Sequence, residues 1–204
     1  MTKPLDPVLL DVPDELVGPR IVLRAWREED AGALWLAVEA SRAHLAPWMP
    51  WVRDHDSAEF SRAYTRRMRA KWALREDLPM GIWTRAGHQL IGATGLHRFD
   101  WTVPAMDIGY WLTPDATGHG YASEAVRLVT AMAFDHLRAE RVTITCSTAN
   151  TRSAAVPLRC GYLHEATLRS ERRDHEGRLR DTLLYAMTRR DYLARVAAPS
   201  TAGR

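Results

Sequence analysis

Apolar and polar positions alternate along the chain with two periods, and the change of period marks the elements. IVLRAW (21–26) reads as a strand, and RVTITC (141–146) alternates residue by residue, as strands with one buried face do. MGIWTR (80–85), HQLIGATGLHRF (88–99) and MDIGYWL (106–112) read as three consecutive strands, the first two joined by a hairpin turn at Ala86-Gly87. REEDAGALWLAVEAS (27–41) reads as a helix that opens with acids, and residues 57–75 as a second helix with the stripe Phe60, Tyr64, Met68 and Trp72. Between them, HLAPWMPW (44–51) is a loop broken by proline. After TPDATGHG comes a long helix with Ala122, Ala125, Val126, Val129, Met132, Ala133 and Leu137 on one face. Asn150 to Arg159 forms a short helix closed by Gly161, and two last strands flank the turn DHEG (174–177).

This order predicts an α/β (α+β) domain with a mixed sheet, antiparallel hairpins and one β-helix-β crossover. Residues 1–18 read as an N-terminal extension and 193–204 as a flexible tail, leaving one domain at 19–192. No apolar run reaches the roughly 18 residues of a membrane span, and MTKPLDPVLLDVPDELVG lacks the apolar stretch of a signal peptide. A cytoplasmic protein is expected.

Composition sharpens this in two places. The formal net charge is only +3, yet the cations are nearly all arginine, with lysine only at Lys3 and Lys71. They cluster at 62–75 and 168–180, where each group could hold phosphate or an acidic partner; those of 62–75 serve equally well as the wet face of an amphipathic helix. Acids interleave with them and no reader motif is present, which argues against nucleic acid. Cys146 and Cys160 lack CxxC spacing and read as buried thiols, and the histidines form no HExxH or HxxxH pair, so no metal is expected.

The chemistry centres on TGHGYASEA (117–125). Gly118 and Gly120 before a helix let successive N–H groups converge on an anion, and the helix N-terminus adds free donors; a plain turn into a helix needs the same glycines. No lysine completes a P-loop, and Ser123 replaces the third glycine of a dinucleotide fingerprint.

GYWLTPDATGHGYASEA together with NTRSAAVPLRCGY (150–162) resembles the GNAT acyl-CoA-dependent N-acetyltransferases. VLRAWREEDA and HLAPWMPW make the chain similar to the RimJ/RimL-type branch, which acetylates protein N-termini and has relatives acting on small amines. The resemblance covers about residues 19 to 190. It implies the GNAT fold, with about seven strands, about four helices and a splayed cofactor cleft. It also implies acetyl-CoA as co-substrate, and direct attack by an amine. Trp111, Leu112 and Thr113 would run along the pantetheine; Thr117, Gly118, His119, Gly120, Tyr121, Ala122 and Ser123 would hold the pyrophosphate. Asn150 would contact the pantetheine arm and Ser153 would stabilise the leaving thiolate, because the tyrosine many members carry for that task is replaced by Pro157. Thr117 stands where the family usually has Gln or Arg.

The resemblance also makes Asp107 the candidate base, directly or through a water, its ordinary alternative being a carboxylate in solvent or paired to an arginine. Trp48, Trp51, His97, Asp100 and Trp101 would line the acceptor mouth, and the resemblance implies a cleft that a bulge at Gly109 would open. An α-amine with pKa 7.7–8.0 is about 10–20% neutral at pH 7, against about 0.04% for lysine, so a protein N-terminus, such as that of a ribosomal protein, is the easier acceptor. Other readings are acylation of a small amine, use of a longer acyl-CoA such as succinyl-CoA, and a CoA- or protein-binding module without catalysis. A homodimer is plausible for this branch, with the hairpin around Gly177 as one contact.

Overall fold

In the computed structural model, which describes residues 6–197, one eight-stranded sheet carries the fold. The strands are β1 (Glu15–Val17), β2 (Ile21–Ala25), β3 (Leu78–Thr84), β4 (Leu90–Asp100), β5 (Ala105–Leu112), β6 (Arg141–Ser147), β7 (Leu163–Arg173) and β8 (Leu179–Thr188). Their order in the sheet is β1-β2-β3-β4-β5-β6-β8-β7, and every neighbouring pair is antiparallel except β5 with β6. The five α-helices are α1 (Ala31–Leu45), α2 (Ala58–Leu74), α3 (Tyr121–Asp135), α4 (Thr151–Cys160) and α5 (Arg189–Ala197). α3 is the crossover between β5 and β6, the single place where the connection must be long enough to return to a parallel neighbour.

Local signals explain most boundaries. Ser57 Oγ accepts from the N–H of Phe60 at 3.1 Å and starts α2, and Arg75 in the left-handed conformation ends it. Asn150 Oδ1 accepts from the N–H of Ser153 at 3.1 Å and starts α4, which Gly161, at φ 83°, closes. α3 buries Ala125, Val126, Val129, Met132 and Ala133, the face its periodicity marks, against Ile21, Leu23, Met80, Leu96, Met106 and Ile108 of the sheet. A second, smaller cluster joins Leu34 and Val38 of α1 to Trp26, Leu90, Ala93 and Trp111.

Four sequence expectations shift. The first helix begins at Ala31, directly after the three-residue 3₁₀ turn Glu28–Asp30, because the buried Asp30 carboxylate turns back to the N–H of Arg27 and takes both arms of Arg24 at 2.9 Å. The first hairpin spans Arg85–Gln89, and its left-handed residue is His88 rather than Gly87. Residues 6–18 are part of the domain: β1 pairs with β2, and Leu10 and Val12 enter the core. Helix α5 carries the order past 192 to Ala197, while residues 198–204 lie outside the described residues. Among the described residues, no helix is long and apolar enough to cross a membrane, and no group of three or more His, Cys, Asp or Glu side chains is placed to hold a metal.

Candidate active site

The site begins where the sheet comes apart. β5 and β6 pair only at Ala105–Arg141, Met106–Val142 and Asp107–Thr143; beyond, β5 stays with β4 while β6 stays with β8. Gly109 makes no bulge: it sits in register opposite Gly95, and the irregularity falls in β4 between His97 and Asp100. The wedge is opened by the loss of pairing itself, and its edge N–H and C=O groups are left for another partner.

A cleft of about 800 Å³ fills the wedge. Trp111 and Leu112 line it from β5; Thr117, Gly118, Gly120, Ala122 and Ser123 from the loop and first turn of α3; Asn150, Ser153, Arg152, Val156 and Arg159 from α4. Gly118 and Gly120 have φ of 81° and 80°, a conformation that side chains oppose, and a Cβ on Gly118 would project into open space. The first N–H groups of α3 have no intrahelical acceptor and face this concavity with the positive end of the helix dipole. Ser123 Oγ is buried in the same wall without a hydrogen-bond partner. A buried orphan hydroxyl beside a glycine cradle, with Arg152 and Arg159 opposite, fits a phosphate-bearing ligand. Three residues expected here lie elsewhere: Thr113, His119 and Tyr121 line a separate cavity of about 830 Å³ beside α1. Tyr121 stacks on His119 and lies under the Arg20 guanidinium, so those rings secure the loop from behind. Arg20 Nη1 donates to the His119 carbonyl at 2.7 Å, and Arg20 Nε to Glu124 at 2.8 Å.

A smaller cavity, about 320 Å³, adjoins the cleft. Trp48, Met49, Tyr110, Asn150 and Ser153 line both, so the two spaces share a wall at Ser153. Trp51, His97 and the candidate base Asp107 line the smaller one. Asp100 and Trp101 do not: Asp100 accepts from the N–H and hydroxyl of Thr102 in the β4–β5 turn, and Trp101 stacks on Phe99 at 5.1 Å. Asp107 is bonded by the Thr143 hydroxyl and ion-paired with Arg98, so the arginine-paired alternative describes its geometry.

Ser153 is held from three sides. Pro157, four residues on, has no N–H to give the Ser153 carbonyl, and the Tyr110 hydroxyl takes that place at 2.9 Å. The same phenol lies 3.1 Å from Ser153 Oγ. Burial raises the Tyr110 pKa well above its ordinary value, so the phenol is protonated at neutral pH. Burial likewise raises the Cys146 thiol in the smaller cavity, which leaves it a poor nucleophile.

The family model for the acetyltransferase (GNAT) domain matches residues 20–163. The chain belongs to the GNAT acetyltransferase family. It is similar to a putative ribosomal N-acetyltransferase, YdaF, of Bacillus subtilis: 26% identical over 177 residues, covering 86% of this chain and 95% of that one. The RimJ structure of Mycobacterium smegmatis, in complex with a CoA disulfide, superposes with a TM-score of 0.77 at 25% identity, covering 93% of this chain and 96% of that chain. A RimL ribosomal-protein α-N-acetyltransferase in complex with coenzyme A gives a TM-score of 0.80 at 22% identity, over 85% and 96% of the two chains. The relatives are those of the RimJ/RimL-type branch to which the motifs pointed.

Sequence reasoning missed part of this acetyltransferase's site. Arg152, Val156 and Arg159 line the cleft at helical spacing, a signal present in the sequence but hidden among many arginines. Tyr110 lies within a strand segment already assigned to the cofactor, and only the fold brings its hydroxyl to Ser153.

Proposed function

We propose that the protein transfers an acetyl group from acetyl-CoA to a primary amine, foremost a protein N-terminal α-amine, by direct attack. The observation that carries this reading is the shared wall: a cleft fit for a phosphate-bearing cofactor and a smaller cavity meet at Ser153. The phosphate end belongs at Gly118 and Gly120, the acyl end near β5 and Ser153, and the amine enters past Trp48 and Trp51. An extended pantetheine fits the unpaired edge of β5 as an added strand does. The Ser153 hydroxyl gives a hydrogen bond or proton to the departing thiolate, and the N-terminus of α4 favours that charge. The raised Cys146 thiol speaks against an acyl-enzyme.

The amine needs little base catalysis if it is an α-amine, which suits a site whose one strand carboxylate, Asp107, is already paired with Arg98. The test is thiol release from acetyl-CoA with two peptides. One has a free Ser or Ala N-terminus and no lysine; the other is N-blocked with one free lysine. Release with the first alone is expected. Release only with the second overturns the acceptor assignment. CoA binding without release on peptides or on a panel of small amines would mark a non-catalytic module.

A further inference from the structure

The smaller cavity is cationic beyond what acetyl transfer needs. Arg98, Arg172 and Arg180 line it, with Asp107 as its one carboxylate. Two of the arginines come from the cluster at 168–180, whereas Arg62, Arg66, Arg67 and Arg69 of the other cluster are exposed on α2 and line neither cavity of the site. Arg172 and Arg180 stand directly opposite each other on β7 and β8, a like-charge cross-strand pair that weakens a sheet unless something between them is negative. Arg98 is paired with Asp107, and Arg172 Nε with Glu171. Among the described residues Arg180 has no ion pair, and its Nε is buried with no hydrogen-bond acceptor. Arg180 and Cys146 line the same cavity.

A β-bulge sets up this arrangement. The register of β7 slips between Leu168 and Arg172, with Ser170 at φ 52°, and this brings Arg172 opposite Arg180. A second irregularity, at His97–Asp100 with Arg98 at φ 52°, turns Arg98 toward the same space.

We propose that Arg180, with Arg172 and Arg98, forms an anion subsite selecting an acceptor whose amine carries a carboxylate close by, namely an N-terminus with Asp or Glu at its second or third residue. This rests on the acceptor reading above. Arginine's fork suits a carboxylate, and the anion satisfies the Arg180 Nε that the fold leaves open. An extended chain advances about 3.3 Å per residue, so an acid at either position stays within the reach of these long side chains while the amine stands at Ser153.

Calorimetric binding to the CoA-loaded protein tests this without depending on turnover. The ligands are a Ser-Asp-Glu peptide and its Ser-Asn-Gln isostere, then phosphoethanolamine and ethanolamine. The acidic peptide should bind at least about tenfold tighter than its isostere. The Arg172→Gln/Arg180→Gln double variant should remove most of that preference, leaving CoA and the neutral peptide within about twofold of the parent. If the double variant no longer binds CoA, Arg180→Gln alone should still reduce the preference by about threefold. Binding of phosphoethanolamine over ethanolamine, with neither peptide bound, would sink the N-terminal reading and keep the anion subsite. The subsite is overturned if charged and neutral members bind alike, if the variants leave the preference intact, or if none of the four ligands binds.

Discussion

At Ser153, backbone and side-chain demands are solved by one phenol. A single Tyr110 proton cannot serve two acceptors; donated to the Ser153 carbonyl, it leaves the phenol oxygen to accept from Ser153 Oγ. The phenol thus holds the Ser153 hydroxyl in place at the shared wall, from where its proton can turn to the departing thiolate. Ser153→Ala should lower kcat by about 10²-fold or more with acetyl-CoA affinity nearly unchanged, read by steady-state kinetics and calorimetry. Tyr110→Phe should lower kcat by about tenfold and destabilise the fold by about 1–3 kcal/mol, since it orphans a carbonyl that Pro157 cannot satisfy. The two losses should be far from additive in the double variant, because the groups act as one unit. Equal, additive losses would show that Tyr110 only supports the helix.

At the level of elements, His55 ties the 3₁₀ turn Pro50–Arg53 to α2. Its Nε2 lies 2.6 Å from Ser61 Oγ, and the rings of Trp35, Trp51, Phe60 and Tyr64 surround it. Burial pushes its pKa below the ordinary 6.5, and the Arg42 charge adds to this, against a smaller opposing effect of Asp56. The unfolded chain therefore binds the proton more readily, so this stability is complete above pH 6.5 and is lost as pH falls through that value. Melting temperature should drop between about pH 7 and pH 5, and His55→Gln should flatten that part of the profile.

The tie was invisible in the sequence, where α2 shows only an amphipathic stripe. The stripe itself holds: Trp72 is buried and Phe60, Tyr64 and Met68 half-buried, yet the innermost positions of the turn before are the polar Ser61 and Thr65. Elements with strong period and caps, such as α3, α4 and β6, were legible because their signals are local. The three-residue β1 and the polar α5 carry too little apolar pattern to announce themselves; they exist because β2 and the sheet end offer partners. In the site the cradle glycines stood out by their place before a helix, whereas Ser153 was singled out only through the family resemblance. Asp100 and Trp101 were misplaced because four residues of turn, Trp101–Pro104, carry them away from the cavity.

On the scale of the whole molecule, the N-terminal segment belongs to the main core. Leu10 is 6% exposed, and Arg75 at the end of α2 donates to its carbonyl at 2.8 Å. Leu10→Ala should cost about 2 kcal/mol and lower the melting temperature by about 4–8 °C, measurable by calorimetry, whereas a loose extension would show no change. The sheet has a comparable weak point at its centre. Only three residue pairs join β1–β5 to β6–β8–β7, so the sheet consists of two leaves that meet along a short spine ending at Asp107 and Thr143. Each leaf is internally well paired, and opening or closing the gap between them breaks few hydrogen bonds. A ligand seated in that gap touches both leaves at once and acts as a rivet. The same break in pairing that admits the substrate makes its occupancy a mechanical property of the entire sheet.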